Sequence, residues 1–291
     1  MPTSIIIPSR SEKFLYQTTL ECLNKSNGEI EVLVMLDGCD IPENEKIKDS
    51  RVKYILRPQT YDLQKRQAIN EAVEISKYDH VMSLDAHCML GEGFDEILER
   101  DCQENWVLVP RRESLDAKNW KIYRPEGRPP IDYEYFIWQF FVKGINGEPK
   151  GGLHGYRWDE RSRERKDIMI DEIQTFQGSS WFTHKAWFRK CGLMDIEGYT
   201  GWGGESNQIS LKTLINGGKV MIDKNVWYAH LHKGRAYGRM YKVKEGGIHA
   251  ADFYSFDQFV NKNRKIFVEL VERFWPIPNW KENWKELLPK I

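Results

Sequence analysis

The sequence lacks the features that mark several large classes of protein. Its 291 residues contain no apolar run near the ~18 residues that a membrane-spanning helix needs, so we expect no membrane segment. The 43 basic and 43 acidic residues cancel to a net charge of zero, whereas dedicated nucleic-acid-binding domains are usually basic. Internal repeats and low-complexity segments are also missing, which leaves an ordinary globular chain.

Cysteine is scarce and irregularly spaced. The five cysteines, at positions 22, 39, 88, 102 and 191, are odd in number and form no metal-binding or disulfide spacing, so we expect reduced thiols that pack in the core. The first residues pass directly into Ile5–Ile7 without the basic start and long apolar stretch of a signal peptide. We therefore expect a soluble cytoplasmic protein, as a monomer or weak homodimer.

Aromatic residues, in contrast, are plentiful. They make up 13% of the chain and include 11 tryptophans, in a sequence that is 41% hydrophobic and 30% charged. Carbohydrate-binding sites use tryptophan and tyrosine faces as stacking platforms, but for any single ring a place in the core is the more common role.

Strand-like and helix-like segments alternate along the first third of the chain, which predicts an α/β fold with a mostly parallel sheet. Predicted strands cover 4–7, 30–36, 52–56, 80–84 and 106–110, and predicted helices cover 12–24 and 63–76.

Polar clusters follow three of these strands, at Pro8–Arg10, Asp37 and Asp85–His87. Because ligands of parallel α/β sheets bind at the carboxyl ends of the strands, we expect the three clusters to converge on one site.

The rest of the chain changes character after residue 110. Residues 111–170 are polar, with proline and glycine, and we interpret them as a long excursion that shapes an acceptor site. A helix over 206–216, strands over 219–223 and 226–228, and a helical tail around 256–274 follow. We therefore predict one domain over 1–251 and a C-terminal helical extension over 252–291 that packs on it.

Two histidine-containing motifs could bind a metal. Asp85 and His87 lie two residues apart at a strand end, where both could turn toward one divalent cation; a solvated turn is the alternative. His230 and His232 have the same spacing, and residues i and i+2 of a strand point the same way. Ordinary surface or hydrogen-bonded histidines are the alternative for that pair.

Two carboxylates are further candidates. Glu205 follows a glycine-rich turn and could position an acceptor hydroxyl or stabilise charge on a sugar, although a carboxylate also suits a helix N-terminus for structural reasons. Asp37 could accept a hydrogen bond from a base such as uracil, and its alternative role is in an Asp-Gly turn.

Taken together, these motifs resemble the GT-A-fold glycosyltransferases of the broad family-2 group, and especially the catalytic domain of polypeptide N-acetylgalactosaminyltransferases. The similar blocks occur in the same order, at 4–10, 31–37, 64–72, 83–93, 177–182, 201–218 and 228–232. The resemblance implies a Rossmann-like fold that binds a UDP-sugar donor with Mn²⁺ or Mg²⁺.

The resemblance also implies roles for individual residues. It assigns the metal to Asp85, His87 and His232, with His230 as the alternative to His232. It places Trp202 and Glu205 beside the sugar and the acceptor, as catalytic residues. The residues that it assigns to donor binding are Pro8, Arg10, Asp37, Arg66, Asp85 and Ala86.

The sequence departs from the resemblance in two ways. Inverting members of this fold commonly carry an aspartate after the glutamate as the catalytic base, whereas Ser206 follows Glu205 here, which favours a retaining enzyme. The lectin module and membrane anchor of the animal enzymes are absent from the 291 residues, so we expect an acceptor other than a Golgi protein.

The whole chain also resembles compact phage-encoded glycosyltransferases, some of which modify hydroxymethylpyrimidines in DNA. We hypothesise such a base as the acceptor, in a phage protein that works in a bacterial cell; a base in a duplex would have to be flipped out. Polysaccharide, lipid-linked and protein acceptors stay open. The predicted acceptor contacts are Arg157, Arg161, Arg163, Arg235 and Arg239, unless nearby acidic residues neutralise them or the later ones bind the donor.

Two other functions are compatible with parts of the pattern. A nucleotidyltransferase would require a glycine-rich first loop, which Pro8–Ser11 does not provide. A non-catalytic nucleotide- or glycan-binding module would not require Asp85, His87 and Glu205 together.

Overall fold

The computed structural model describes residues 2–58, 64–124, 126, 129–138, 152–199, 203–233, 237–238 and 247–288. Within those ranges no helix is both long and apolar enough to cross a bilayer.

The first third of the chain alternates strands and helices as predicted, with bounds that differ by at most three residues. In order it contains β1 (Thr3–Ser9), α1 (Leu15–Lys25), β2 (Ile30–Asp37), β3 (Val52–Arg57), α2 (Gln64–Ile75) and β4 (His80–Leu84).

The elements that follow are shorter and more varied. They are β5 (Cys88–Leu90), α3 (Phe94–Asp101), β6 (Trp106–Asp116), β7 (Lys121–Tyr123), β8 (Glu134–Trp138), β9 (Leu153–Arg157), α4 (Asp159–Glu164), β10 (Ile170–Glu172), β11 (Ser180–His184), α5 (Lys185–Lys190), α6 (Glu205–Ile215), β12 (Lys219–His230), α7 (Gly247–Phe256) and α8 (Arg264–Phe274).

A ten-stranded sheet forms the centre of the fold. Its main path runs β10-β12-β6-β11-β4-β1-β2-β3, with β5 paired to β12 and β7 paired to β6. Strands β1 to β4 are mutually parallel along this path, and β12 is parallel to β6. Strand β11 runs antiparallel to both of its neighbours, β4 and β6. The prediction of a mostly parallel sheet is therefore confirmed.

Both faces of the sheet are covered, because successive side chains of a strand point to opposite faces. In β1, Ile6 joins the apolar cluster that contains residues of α2, α5, α6 and α8. Ile5 and Ile7 join the cluster on the other face, with residues of α1 and α3. All three isoleucines are fully buried, which explains why β1 is almost continuously apolar.

The predicted excursion, 111–170, has more regular structure than expected. Strand β6 continues through it to Asp116 and turns into β7, while β8 and β9 form a separate two-stranded sheet. The pattern of β8 shows why: all five of its residues, from Glu134 to Trp138, are buried. The excursion therefore contributes to the core and is not only a surface loop.

The end of the chain differs from the prediction in two details. The two late strands are one strand, β12, whose pairing with β6 shifts between Asp223 and Trp227, as at a β-bulge. The tail helix predicted around 256–274 begins only at Arg264, as α8, after a wider helical turn at Asp257–Asn261. Helix α7 lies almost entirely before the predicted stretch. The proposed boundary at residue 252 lies inside α7.

The C-terminal helices pack on the excursion. The Phe256 ring stacks on Trp138 of β8 at 5.2 Å, and the Trp280 indole Nε1 donates a hydrogen bond to the Phe136 carbonyl at 2.8 Å. Trp284 in turn packs edge-on against Trp280. These aromatic rings act mainly as core, which is the role that composition alone favours.

Two adjacent glycines between α6 and β12 allow a matched test of the packing. A Cβ at Gly218 would lie 2.3 Å from the Asn105 carbonyl oxygen and 2.4 Å from the Trp187 ring. Gly217 has φ +81° but nothing within 4 Å of such a Cβ. We predict that Gly218→Ala lowers the free energy of unfolding by about 3 kcal/mol or more through overpacking. Gly217→Ala should cost only about 1–2 kcal/mol through its left-handed backbone. Denaturant unfolding measures both, and equal costs would contradict this assignment.

A buried histidine pair predicts a pH-dependent stability. His80 Nε2 lies 3.2 Å from His184 Nε2, and burial together with His184 lowers the pKa of His80 to about 4. The unfolded chain therefore binds a proton more readily, and stability should fall as the pH drops from about 6.5 toward 4. His80→Gln should flatten this dependence in urea titrations. The same slope in variant and wild type would assign it to other groups.

Candidate active site

The carboxyl ends of β1, β2 and β4 meet at one edge of the sheet, and Asp85 is the first residue after β4. Its backbone N–H donates to the Ser179 carbonyl at 2.8 Å, which fixes the turn against the segment before β11. The antiparallel pairing of β5 with β12 places Cys88 opposite His230. That register brings the end of β12 beside His87, so the two distant histidine motifs come together.

Three potential metal-ligand atoms form a small triangle at this edge. His87 Nε2 and His230 Nε2 are 3.1 Å apart, and they lie 4.0 Å and 3.4 Å from Asp85 Oδ2, respectively. The point equidistant from all three lies about 2.1 Å from each, close to the usual distance of divalent metals from nitrogen and oxygen ligands. Asp85, His87 and His230 are therefore a group of described residues that could hold a metal ion.

The electrostatics of the triangle suit a cation. Burial lowers the pKa of His230 to about 3 although Asp85 opposes the shift, so its ring is neutral near pH 7. Burial alone would raise the pKa of Asp85, but the charge of Lys65 and the interactions with the two histidines hold it well below its usual range. An ionised carboxylate and a neutral imidazole are the protonation states that metal binding requires.

His232 lies one step beyond the triangle. It is exposed, two residues after His230 at the end of β12, and its ring meets the His230 ring edge-on at 5.0 Å. Of the two histidines that the sequence left open, His230 thus has the atom close to Asp85 and His87.

Glu12, on the loop between β1 and α1, supports the triangle from behind. Its Oε2 lies 3.3 Å from His87 Nδ1, and its Oε1 accepts a hydrogen bond from Lys233 at 2.6 Å. Burial alone would raise the pKa of Glu12, but His87 and Lys233 lower it below the ordinary value. A carboxylate on the far nitrogen of a histidine favours the tautomer whose other nitrogen can bind a metal.

Lys65, on the first turn of α2, contacts the same site from the opposite side. Its Nζ lies 2.7 Å from Asp85 Oδ1 and donates a hydrogen bond to the Gly178 carbonyl at 2.8 Å. The two oxygens of Asp85 therefore have different partners: Oδ1 faces Lys65, whereas Oδ2 faces the histidines.

Asp37 lies buried at the end of β2, between two arginines. Its Oδ2 forms an ion pair with Arg10, and its Oδ1 lies 3.5 Å from Arg57 Nη1. The predicted donor residues Arg10 and Asp37 thus meet, next to Pro8 near the end of β1. Ala86, between the metal-motif residues, is buried.

Glu205 begins α6 directly after Gly203 and Gly204, which adopt φ of +107° and +73°. Its side chain is 9% exposed, and its Cβ lies 3.6 Å from the Cβ that an alanine at position 178 would have. Because Gly178 accepts the hydrogen bond of Lys65, Glu205 lies in the neighbourhood of Asp85, on the far side of this loop.

Arg66 connects α2 to the segment that leads into α6. Its guanidinium donates to the Gly203 carbonyl at 3.0 Å and to the Gln208 side chain, and it stacks 3.8 Å from the Tyr199 ring centre. Arg66 is 1% exposed. Its contacts in the structure are therefore with the scaffold around Glu205, and its predicted donor contact stays a prediction.

The first basic segment is largely occupied by intramolecular contacts. Arg157 pairs with Asp159 and donates to the Pro129 carbonyl at 2.8 Å. Arg161 lies over the rings of Tyr133, Trp158 and Phe274. Arg163 is exposed. The neutralisation that the sequence left open is thus observed for Arg157.

Three predicted site residues, Trp202, Arg235 and Arg239, lie outside the described residues. Two residues of the site were not singled out from the sequence, namely Glu12 and Lys65. Glu12 follows the predicted donor loop by two positions, and Lys65 precedes Arg66. A charged residue next to a predicted donor residue could have indicated a place in the site. The partners of Glu12 and Lys65 are distant in sequence, however, so the sequence alone did not identify them.

The sequence was compared with protein families and with curated proteins. The model of the family described as glycosyl transferase family 2 matches residues 4–178. A search of curated proteins found no match.

Many solved structures are similar in fold, among them the following two. The crystal structure of GalNAc-T7 with UDP, GalNAc and Mn²⁺ has a TM-score of 0.66 and 18% identity, over 98% of this chain and 53% of that one. The structure of S. aureus TarS 1–349 in complex with UDP-GlcNAc has a TM-score of 0.52 and 12% identity, over 99% of this chain and 70% of that one. This chain thus spans about half the length of GalNAc-T7. The predicted GT-A fold is confirmed.

Substitution of the triangle residues tests which side chains bind the metal. We predict that Asp85→Asn and His230→Asn weaken Mn²⁺ binding by about 10- to 100-fold or more, because each removes a ligand or its charge. His232→Asn should change it by no more than about threefold, since its ring lies outside the triangle. Titration of Mn²⁺ followed by electron paramagnetic resonance measures all three. A large loss in His232→Asn with little loss in His230→Asn would reverse the assignment.

Proposed function

Because the chain belongs to glycosyl transferase family 2, we propose that it is a metal-dependent enzyme that transfers a sugar from a UDP-sugar to an acceptor hydroxyl. The observation that carries this proposal is the Asp85–His87–His230 triangle at the carboxyl edge of the sheet. A nucleotide-sugar donor of this class is supported by the two solved structures similar in fold, which contain UDP and UDP-GlcNAc.

The residues have separate roles in the proposed reaction. Asp85, His87 and His230 would hold a divalent ion, Mn²⁺ or Mg²⁺, which would supply Lewis-acid neutralisation of the diphosphate charge. Arg10 and Asp37 bind the nucleoside part of the donor, with Pro8 and Ala86 lining it. We assign Glu205 and Trp202 to the sugar, where Glu205 stabilises the charge that develops at the C1 carbon.

The transfer breaks the bond between sugar C1 and the donor phosphate oxygen and forms a bond from C1 to the acceptor oxygen. The acceptor proton passes to the departing diphosphate. We propose retention of configuration, with attack from the face that the diphosphate leaves, because Ser206 stands where an inverting enzyme would carry a carboxylate base. Proton NMR of the newly formed anomeric linkage determines this outcome.

For the acceptor we propose the hydroxymethyl group of a modified pyrimidine in DNA. The support comes from basic residues in the sequence. Of these, Arg157 is paired with Asp159, Arg161 lies on aromatic rings, and Lys233 is paired with Glu12. The remaining support comes from exposed Arg163 and from Arg235 and Arg239. A polysaccharide, lipid-linked glycan or protein acceptor is the alternative outcome of the acceptor test.

The proposed catalysis can be tested by the release of UDP. We expect metal-dependent release of UDP from UDP-glucose, UDP-N-acetylglucosamine or UDP-N-acetylgalactosamine, and loss of this activity with EDTA. Asp85→Asn should lower the rate by about 10³-fold or more, because it removes the ligand that places the charge on the diphosphate. Asp257→Asn, which changes an exposed carboxylate, is the matched control. Donor binding without any metal-dependent turnover would instead identify a binding module.

The proposed acceptor can be tested with modified and unmodified DNA. Turnover should rise when DNA that contains hydroxymethylcytosine is added, and should not rise with unmodified DNA of the same sequence. Mass spectrometry of the digested DNA should show one added sugar residue per modified base, with the mass of a hexose or an N-acetylhexosamine according to the donor used. Equal turnover with both DNAs would remove DNA as the acceptor while leaving the glycosyltransferase in place.

A further inference from the structure

Lys65 gives the proposed metal site a feature that its three ligand residues do not provide. Its Nζ contacts Asp85 Oδ1 at 2.7 Å, while Oδ2 of the same carboxylate faces His230 at 3.4 Å. A carboxylate can bind a cation through one or both oxygens. With an ammonium on Oδ1, Asp85 presents one oxygen to the triangle.

The second contact of Lys65 fixes where its charge lies. Its Nζ donates to the Gly178 carbonyl at 2.8 Å, so the ammonium is held between Asp85 and the loop beside Glu205. The side chain is 24% exposed, so these contacts cover it only in part. A donor that lies between Asp85 and Glu205 would therefore meet this charge.

Two other cationic side chains near the site form ion pairs with other carboxylates. Arg10 pairs with Asp37 at the nucleoside end, and Lys233 pairs with Glu12 behind His87. Among the described residues that contact the triangle, the charges of Asp85 and Glu12 are balanced by those of Lys65 and Lys233. A divalent ion would thus bind at a site whose net charge is near zero. The occupied site would then carry an excess of about two positive charges, which favours binding of a diphosphate.

We propose that Lys65 is a donor-binding residue: its ammonium weakens metal binding in the absence of donor and contributes a second positive charge to the donor diphosphate. This inference rests on the proposed function for the identity of the ligand. It predicts ordered assembly, because the ion binds weakly until the diphosphate offsets the repulsion between the ion and the ammonium.

The test is binding, and it needs no acceptor. In Lys65→Met, Mn²⁺ alone should bind about tenfold more tightly, whereas UDP in the presence of saturating Mn²⁺ should bind about tenfold more weakly, which is the range of one charge-assisted hydrogen bond. Calorimetry and electron paramagnetic resonance measure the two affinities. Pyrophosphate as a second probe should lose affinity in the same way, because the contact is with the diphosphate.

Two further variants separate charge from tethering. Lys65→Gln keeps a hydrogen-bond donor but loses the charge, so it should behave like Lys65→Met; Lys65→Arg keeps the charge and should stay within about threefold of wild type. Lys262→Met, an exposed lysine on the C-terminal region, is the matched control.

The opposite signs of the two changes are the decisive result. A purely structural role would lower the melting temperature and weaken both affinities together, or leave both unchanged in Lys65→Gln, and either result would overturn the inference. Absence of pyrophosphate and UDP binding to the wild-type protein with Mn²⁺ would overturn it as well. Opposite shifts without sugar transfer would keep the inference and remove the proposed function. Sugar transfer without the opposite affinity shifts would keep the proposed function and overturn the inference about Lys65.

Discussion

The Asp85 carboxylate is divided between an ammonium group and two imidazoles, and the geometry of the site depends on this division. Oδ1 lies on Lys65, whereas Oδ2 completes a triangle with His87 and His230. The turn that carries Asp85 is fixed by the hydrogen bond of its N–H to Ser179. A small displacement of this turn would therefore change the distances to all three partners at once, which is how preorganised ligand sites lose affinity.

Helix α2 joins the two halves of the site through consecutive residues. Lys65 faces Asp85, and Arg66 is buried against Gly203, Gln208 and Tyr199. Adjacent residues of a helix point about 100° apart, so one turn of helix can contact two different segments. The first turn of α2 therefore contacts both Asp85 and the segment that leads into Glu205.

The C-terminal part of the fold packs on the excursion at 111–170. Aromatic residues of the excursion and of the last helices form one packed core, in which Trp138 contacts both Phe256 and Trp280. Arg161 lies among aromatic rings of the same region. Several basic residues that suggest an anionic partner in the sequence thus stabilise the fold, and a charge count along the chain does not distinguish the two uses.

The sequence by itself determined the α/β alternation, the mostly parallel sheet and the strand-end positions of Asp37 and Asp85, because these depend on local periodicity and on turn chemistry. The family resemblance of the sequence assigned a distant metal ligand to His232, with His230 as the alternative. Only the tertiary structure decided that the His230 ring joins Asp85 and His87, since this depends on the register of β5 against β12. The roles of Glu12 and Lys65 were likewise decided there, because an ion pair between segments far apart in sequence has no local pattern.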